Sequence, residues 1–256
     1  MNLLEAFELH RKDAIAFIGG GGKASLMLRI CQEASAERWK VLLTTTTHMW
    51  PKGSHGNFPA LLEVRDEKEL RQVEQAFLTH GALTVVGNAS AIHRMEAPPL
   101  PIVERLPAIE ALDLLLIKAD GARDRSLKGH RSYEPVVPAC TTVSVAVVGM
   151  DVIGKPLEAR HVHHPELVSE WLTVPKGALI TEKMVADVIL HPKGYLARLR
   201  GRVIVFLNKV NSPESARSAG SVAHILVESK RVNRVVLGDT WARGRDEIIK
   251  DICLQE

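Results

Sequence analysis

Cysteine is scarce in this sequence, and its three copies, Cys31, Cys140 and Cys253, stand far apart with no Cys-x-x-Cys pair. Zinc ribbons, cysteine-ligated clusters and disulfide frameworks need more cysteines at closer spacing, so these classes are excluded. Such scarcity is typical of proteins of the reducing cytoplasm, which is the location we predict.

Aromatic side chains, long apolar runs and excess charge are also lacking. Five Phe, four Trp and two Tyr are too few for a platform that stacks single-stranded bases. The net charge of +3 is too small to indicate a nucleic-acid or membrane-surface partner. No stretch approaches the roughly 18 uncharged apolar residues of a membrane helix, and Met1–Asp13 has no signal-peptide pattern. We therefore expect neither nucleic acid nor a membrane as a partner.

The hydrophobic residues, 46% of the chain, form short β-branched runs that alternate with helical patterns. This alternation is typical of a parallel sheet with crossover helices. We predict an α/β fold of the P-loop NTPase type, with a doubly wound, mostly parallel sheet flanked by helices. It forms a single nucleotide-binding domain over residues 1–256, with room for a small subdomain at about residues 151–193.

Apolar periodicity gives the bounds of the predicted elements. Strands are expected at Ala14–Ile18, Val41–Leu43, Leu83–Val86, Leu112–Ile117, Val143–Val148, Val203–Leu207 and Arg234–Leu237. Helices are expected at Lys23–Ala36, Asp66–His80, Pro165–Leu172 and Thr181–Leu190. The segment Ala97–Pro107 contains four prolines and is predicted to be an irregular connection.

A run of four glycines followed by a lysine stands at the first strand-to-helix junction. Glycines let backbone N–H groups converge on an anion, the helix N-terminus adds its positive dipole, and a lysine supplies a point charge. The strict P-loop pattern is not met, because Phe17 replaces the first glycine and Ala24 replaces the hydroxyl residue. The residues predicted to bind the phosphates of ATP or GTP are Gly19, Gly20, Gly21, Gly22, Lys23, Ala24 and Ser25.

The same run also fits a dinucleotide fingerprint, through Gly19, Gly21 and Ala24. That interpretation requires an acidic residue near the end of the second strand, where the sequence has Thr44–Thr47 and His48 instead. A dinucleotide-dependent oxidoreductase is therefore the weaker alternative, and a glycine-rich turn without a ligand is another.

The apolar run Leu114–Ile117 leads through Lys118 to Asp120 and has the form of a Walker B strand. An aspartate at the carboxyl end of such a strand, beside a phosphate loop, holds Mg²⁺ directly or through water. We predict that Asp120 binds Mg²⁺ and acts in catalysis with Lys23. Arg123 is predicted to reach a phosphate in the same reaction, and a surface arginine is the alternative.

Asn208, Lys209, Val210 and Asn211 follow a strand, and the first three match the NKxD loop that reads guanine. Asn211 stands in place of the aspartate, so its NH₂ group would face the guanine amino group, donor against donor. An unpaired buried donor costs about 1–3 kcal/mol, whereas the same amide can pair with adenine. We therefore expect guanine preference to be weakened or lost.

Several further residues are candidates for metal, substrate or switch roles. Thr45 could supply the magnesium ligand that Ala24 lacks, and a strand extension is the alternative for the whole threonine run. His161, His163 and Glu166 could hold a metal together with His164, although a polar loop also explains them. The remaining substrate or switch candidates are Thr44, Thr46, His48 (a base or a packing residue) and Asp151 (a ligand or a turn cap).

Most of the chain resembles the YqeC family of selenium-dependent molybdenum hydroxylase accessory proteins. The resemblance is carried by the glycine run with Lys23, by Leu42–Met49, Ala119–Arg123, Leu127-Lys128, Glu134–Pro138, Val148–Asp151, Gly154–Leu157, Thr181, Gly194 and Leu207–Lys209. It implies a P-loop-type nucleotide-binding protein that helps to install a selenium-containing cofactor, with a molybdenum hydroxylase or its maturation proteins as partners. It also implies site roles for Lys128 and Glu134.

Three residues depart from the family pattern. Ala24 replaces the Ser or Thr after the loop lysine, Lys118 replaces an acidic residue, and Asn211 replaces the aspartate of the base loop. Ser25 lies about 100° farther around the helix, so it is better placed for a phosphate than for a metal. Each departure weakens Mg²⁺ chemistry or guanine selection more than phosphate binding.

Three functions follow from these patterns. The first is a Mg²⁺-dependent nucleoside triphosphatase or nucleotide-driven transferase that resembles the family's maturation factors. The second is a nucleotide-sensing docking module that does not hydrolyse its ligand, and the third is the dinucleotide-dependent oxidoreductase.

Overall fold

The computed structural model describes residues 1–49, 52–53, 56–91, 94–244 and 247–254. The strands, in chain order, are β1 (Asp13–Gly19), β2 (Val41–Thr45), β3 (His48–Met49), β4 (Lys52–Gly53), β5 (Gly56–Asn57), β6 (Ala60–Glu63), β7 (Ala82–Val86), β8 (Asn88–Ala91), β9 (Arg94–Glu96), β10 (Leu114–Lys118), β11 (Leu127–Lys128), β12 (Val143–Gly149), β13 (Val162–His163), β14 (Arg202–Asn208), β15 (Arg234–Gly238) and β16 (Ile249–Leu254). The α-helices are α1 (Leu3–Ala6), α2 (Lys23–Ala36), α3 (Leu70–Ala76), α4 (Leu100–Arg105), α5 (Pro165–Leu172), α6 (Glu182–Leu190) and α7 (Pro213–Glu228). Short 3₁₀ helices lie at Glu67–Glu69, Leu106–Ala108, Met150–Val152 and Tyr195–Arg198.

The central sheet has, within the described residues, nine strands in the order β16-β15-β14-β12-β1-β10-β2-β7-β6. Only the pair β15–β16 in this sheet is antiparallel among the described strand pairs, and the others are parallel. Parallel strands are covered on both faces, which explains their continuous apolar sequences. The predicted α/β fold with a mostly parallel sheet is confirmed.

Alternate side chains of β1 enter different cores. Ile15 and Phe17 pack against α1 and α2 on one face of the sheet. Ala16 and Ile18 pack on the other face, against helices α5, α6 and α7. Helices α3 and α4 cover the rest of that second face, over β10, β2 and β7. The segment 151–193 contributes α5 and α6 to the same core as Ile18, so its helices pack on the main sheet.

The predicted elements agree closely with the observed ones where the apolar pattern is strong. Helices α2 and α5 have the predicted bounds, and α6 begins one residue later because Thr181 is its N-cap and accepts a hydrogen bond from Met184 N. The predicted Asp66–His80 helix is shorter than expected, with a 3₁₀ turn followed by α3. Asp66 caps that turn with its side chain.

The prediction of an irregular connection at Ala97–Pro107 is wrong, because α4 forms within it. Pro99 is the N-cap of α4 and Pro101 lies in its first turn. A proline is tolerated there because the amides of the first turn have no partner within a helix. The prolines therefore start this helix.

Helix α7 and strand β16 are among the elements that the sequence prediction did not include, as are α1 and the edge strand β6. Helix α7 begins at a capping box formed by Ser212 and Ser215, and its apolar stripe includes Val222 and Leu226. Strand β16 is the other edge strand of the sheet. Its partly buried and exposed residues do not alternate regularly, so apolar periodicity does not predict it. None of the described helices is both long and apolar enough to cross a membrane.

The carboxyl ends of the parallel strands meet at one edge of the sheet. Strand β10, which carries Lys118, lies between β1 and β2. In dinucleotide-binding folds the second strand is instead the direct neighbour of the first. The observed order therefore departs from the dinucleotide alternative, and it brings the glycine run next to the segment that contains Asp120.

Candidate functional site

A cavity of about 900 Å³ opens at this edge of the sheet, beside the glycine run. This volume is within the range of small-molecule sites. The lining residues are Gly21, Gly22, Lys23, Ala24, Ser25, Thr46, Thr47, His48, Met49, Phe58, Glu96, Ala97, Lys118, Gly121, Ala122, Arg123, Asp124, Arg125, Glu134 and His163. The cavity therefore joins the predicted phosphate loop with the segments that follow β2 and β10.

The first three amides of the glycine run bind acceptors of the protein. Gly19 N donates to Asp120 Oδ2 at 2.8 Å, Gly20 N to Val147 O at 2.9 Å and Gly21 N to Arg125 O at 2.8 Å. Glycine is required at residue 21 because its φ is +77° and a Cβ atom there would overlap the backbone of Gly149. These contacts fix the loop and remove three amides from ligand binding.

The next four amides, of residues 22–25, have no acceptor within the described chain. They belong to the N-cap and the first turn of the 14-residue helix α2, and all four residues line the cavity. Amides at a helix N-terminus carry partial positive charge and point away from the helix. This turn is therefore the part of the loop that can bind an anion.

Lys23, the first residue of α2, is only 5% exposed. Its Nζ donates a hydrogen bond to Gly19 O and lies 3.0 Å from Asp120 Oδ1. Burial lowers the pKa of Lys23, while the nearby Asp120 acts in the opposite direction. The predicted phosphate ligand is thus paired with the predicted metal ligand.

Asp120 is fully buried at the centre of a charged cluster. His130 Nε2 donates to Asp120 Oδ2 at 2.9 Å, and Lys128 Nζ lies 3.4 Å from the same oxygen. Burial alone would raise the pKa of Asp120, but Lys23, His130 and Lys128 together hold it well below its usual range. Asp120 is therefore ionised, and it does not line the cavity.

Lys128 and Glu134, which the resemblance implied, complete this cluster. Lys128 is fully buried, and its Nζ lies 2.6 Å from Gly121 O and 3.0 Å from Glu134 Oε1. Tyr195 OH accepts a hydrogen bond from Lys128 N at 3.0 Å, and the tyrosine ring packs edge-on against His130. Burial lowers the pKa of His130 despite the neighbouring carboxylate. His130 therefore serves as a neutral donor to Asp120.

Lys118 places a further cation in the cavity, at the end of β10. Its Nζ donates to His48 O at 2.6 Å and lies 3.4 Å from Thr47 Oγ1. Burial, together with the charges of Lys23 and Lys128, lowers the pKa of Lys118 to about 7, against Asp120 and Asp124. The sequence singles out Lys118 only as a departure from the family pattern, although Lys118 ends β10 two residues before Asp120.

The threonine hydroxyls after β2 bind backbone carbonyls. Thr44 Oγ1 donates to Val85 O, Thr45 Oγ1 to Lys118 O and Thr46 Oγ1 to Val136 O, at 2.8, 2.9 and 2.8 Å. Thr44 and Thr45 are fully buried, whereas Thr46 and the exposed His48 line the cavity. The run joins neighbouring strands, and it does not bring the Thr45 hydroxyl to the cavity.

A tight turn over the glycine loop carries the predicted Arg123. Arg123 and Asp124 both have left-handed φ values, of 47° and 60°, and both are exposed at the cavity. Such values cost of order 1 kcal/mol each in residues other than glycine. The turn also supplies Arg125 O to the loop amide of Gly21. The turn therefore holds the loop while presenting Arg123 to the cavity.

Asn208 is fully buried and connects two loops. Its Nδ2 donates to Gly21 O at 2.6 Å and to Thr240 Oγ1 at 3.2 Å, and its Oδ1 accepts from Thr240 N at 3.0 Å. All of its amide groups are thus used inside the protein. Asn208 acts as a clamp on the glycine run.

The other base-loop candidates lie outside the cavity. Lys209 Nζ is 2.8 Å from both Ser126 Oγ and Asp151 Oδ2, so Lys209 and Asp151 form a partly exposed ion pair. Asn211 is exposed, and its backbone N–H donates to Ser215 Oγ at the start of α7. The structure brings Asn208 to the glycine run but leaves Asn211 at the surface.

The histidine segment is divided between two environments. His163 lines the cavity, and its pKa is lowered to about 4 by burial and by the charges of His164 and Lys128. His164 Nδ1 instead lies 2.9 Å from Glu166 Oε1. Within the described ranges, no three or more His, Cys, Asp or Glu residues form a group that could hold a metal ion. The candidate set of His161, His163, His164 and Glu166 therefore does not form such a group.

Three residues that the sequence patterns did not indicate lie at the Asp120 cluster or at the glycine run. His130, Tyr195 and Arg125 are distant from the glycine run in the sequence and belong to no motif that spacing reveals. Only the topology, which brings the ends of β10 and β12 beside β1, places His130 at Asp120, Tyr195 against His130 and Arg125 O against Gly21 N.

Comparison with known proteins gives two findings. A model of a family described as "YqeC protein" matches residues 15–166, which include the glycine run, Lys118, Asp120 and His163. The chain is also similar to the uncharacterized protein YqeC of Escherichia coli (strain K12), with 28% identity over 238 residues. That similarity covers 90% of this chain and 88% of the Escherichia coli protein.

Proposed function

The chain belongs to the YqeC family, and from this membership and the geometry of the loop we propose that it is an accessory protein that binds ATP or GTP by the phosphates. The observation that carries the proposal is the set of four amides of residues 22–25, which have no acceptor in the described chain and border a cavity together with Lys23. Converging amides at a helix N-terminus are a general phosphate-binding arrangement.

Lys23 is expected to change its partner when a phosphate arrives. In the structure its Nζ contacts two groups of the protein itself, Gly19 O and the Asp120 carboxylate. A polyphosphate at the amides of residues 22–25 carries several negative charges, so it attracts the ammonium more strongly than the uncharged carbonyl of Gly19 does. Asp120 keeps Lys128 and His130 after this change.

The phosphate groups are expected to supply most of the affinity, and the base little selectivity. The side-chain amide of Asn208 is hydrogen-bonded to the glycine run and to Thr240. Asn208 is therefore a clamp rather than a base contact. Asn211 is exposed and lies outside the cavity. We therefore expect ATP and GTP to bind with dissociation constants within about tenfold of each other.

Binding with slow turnover, or none, is the role we favour. Asp120 is buried, is paired with Lys23 and does not line the cavity. Phosphoryl transfer depends on groups that neutralise charge and orient the nucleophile at the terminal phosphate. A nucleoside triphosphatase or nucleotide-driven transferase is the second candidate, because the cavity of about 900 Å³ extends beyond the loop toward Thr46 and Glu96.

The partner follows from the resemblance alone. We propose that the nucleotide-bound chain binds a molybdenum hydroxylase or a protein that matures the selenium-containing cofactor of that hydroxylase. Copurification of such a hydroxylase with the chain in the presence of nucleotide is the corresponding test.

Calorimetry tests the phosphate site directly. ATP, GTP and tripolyphosphate are titrated into the protein, with adenosine as the control ligand that lacks phosphate. We expect the three phosphate compounds to compete for one site, adenosine to bind weakly and Lys23→Ala to reduce the affinity. Adenosine binding as tightly as ATP, or absence of binding by all phosphate compounds, contradicts the proposal. Phosphate release in the same samples separates a binding protein from a triphosphatase.

A further inference from the structure

We propose that this phosphate site works without a divalent cation, and that the ammonium group of Lys118 supplies positive charge where a P-loop site would use Mg²⁺. The inference rests on the proposed function, since it concerns the charge that neutralises the bound phosphates. It departs from the magnesium that the sequence motif led us to expect.

The oxygen ligands of a P-loop magnesium site are not presented to this cavity. In that site a hydroxyl after the loop lysine contacts the metal, and here the residue is Ala24, which has no hydroxyl and lines the cavity. The aspartate of the neighbouring strand is the second usual ligand. Asp120 is fully buried, with Lys23 3.0 Å from one oxygen and both Gly19 N and His130 bound to the other.

Replacement ligands are not brought together either. Thr45 Oγ1 is directed to Lys118 O and the residue is fully buried. Glu134 borders the cavity but lies 3.0 Å from Lys128 Nζ. Glu96 and Asp124 also border the cavity, on different segments. In the described part of the chain no three His, Cys, Asp or Glu residues form a group able to hold a metal.

Lys118 is placed to supply the charge instead. It lines the same cavity as Lys23 and the amides of residues 22–25. Two contacts, to His48 O and Thr47 Oγ1, hold its Nζ at 2.6 and 3.4 Å. An ammonium group has three N–H donors, so one remains for a ligand in the cavity. The two contacts fix the position of the cation, and the third donor is available to an anion in the cavity.

Calorimetric titration of ATP in excess EDTA and in excess Mg²⁺ tests the inference. The variants are Lys118→Met, which removes the charge, Lys118→Arg, which keeps it, and Lys176→Met, which removes an exposed lysine outside the cavity. Thermal unfolding confirms that each variant is folded. If Lys118→Met is not folded, the comparison of EDTA with Mg²⁺ on the wild type still tests whether a divalent cation is needed.

The expected result for the wild type is a dissociation constant in EDTA within about threefold of the value in Mg²⁺. Lys118→Met should weaken binding in EDTA by about tenfold or more, as loss of a charged hydrogen bond does. Lys118→Arg should retain more of the affinity in EDTA than Lys118→Met does, and Lys176→Met should bind as the wild type does.

Three other results overturn the inference. Binding that is lost in EDTA and restored by Mg²⁺ shows that a metal is required, while the proposed nucleotide binding stands. Binding in EDTA that is equal in the wild type and Lys118→Met removes the role of Lys118. Absence of ATP binding under both conditions overturns the proposed function together with this inference.

Discussion

Lys23 Nζ lies 3.0 Å from Asp120 Oδ1, so the residue best suited to bind a phosphate is paired with the residue best suited to bind a metal. Both side chains are buried, and Asp120 also contacts His130 and lies 3.4 Å from Lys128 Nζ. The carboxylate therefore balances two buried lysines. This arrangement makes Asp120 a structural centre of the site.

Asp120→Asn is expected to lower the free energy of unfolding by about 3 kcal/mol, because removal of one partner leaves buried charges uncompensated. Urea denaturation at neutral pH measures the change. Asp187→Asn is the matched control, since Asp187 forms an exposed ion pair with Lys183 and should contribute no more than about 0.5 kcal/mol. Equal stability of Asp120→Asn and the control would contradict a structural role for Asp120.

Proton uptake on anion binding is the expected consequence of the low pKa of Lys118. Its pKa of about 7 reflects burial and the charges of Lys23 and Lys128, opposed by Asp120 and Asp124. At pH 8 the free protein therefore carries Lys118 largely neutral, and a bound polyphosphate raises the pKa and draws a proton from the buffer. At pH 6 Lys118 is already charged, so uptake should be small and binding tighter.

Calorimetry of ATP binding at pH 8, in buffers with different ionisation enthalpies, measures this uptake. Lys23 also has a lowered pKa and can take up a proton, so the difference between the wild type and Lys118→Met isolates Lys118. We expect up to about one proton in that difference. The same uptake in both proteins would show that Lys118 does not titrate with the ligand.

The sequence predicts the elements better than it predicts the site. Local apolar periodicity determines helices such as α2, which has the predicted bounds Lys23–Ala36. The cluster around Asp120 instead depends on the crossing of β10 between β1 and β2, which no local pattern encodes. Motif spacing therefore identified Lys23 and Asp120 but could not show that they pair with each other, or that Lys118 enters the cavity.

The base-loop motif also shows that a residue at its motif position need not have the role that the motif predicts. Asn208 matches its motif position, yet its amide holds Gly21 O and Thr240 inside the protein. Motif matching gives a residue type at a strand end, whereas the role depends on which loops approach that end. The prolines of α4 behave similarly, because their effect depends on their place in the helix.

Asn208→Ala and Asn211→Ala should differ sharply. Asn208→Ala removes three buried hydrogen bonds of the glycine run and Thr240, so we expect a loss of about 1–3 kcal/mol in stability and weaker ATP binding. Asn211 is exposed, and only its backbone N–H contacts Ser215. Asn211→Ala should leave stability and the ATP-to-GTP affinity ratio unchanged. Urea denaturation and calorimetry measure both, and a changed affinity ratio in Asn211→Ala would restore Asn211 as a base contact.

Gly21 and Gly154 offer a matched pair that tests why the loop needs glycine. Their φ values, +77° and +72°, are nearly equal, so an alanine at either position bears the same left-handed strain of about 1–2 kcal/mol. A Cβ atom at residue 21 would also overlap the backbone of Gly149, whereas no described atom lies within 4 Å of one at residue 154. Because backbone cannot move aside as a side chain can, Gly21→Ala should cost at least about 3 kcal/mol and displace the loop. It should also weaken ATP binding, while Gly154→Ala binds normally. Urea denaturation and calorimetry on both variants measure these effects, and equal losses would mean that strain alone, rather than close approach to β12, explains the glycine at residue 21.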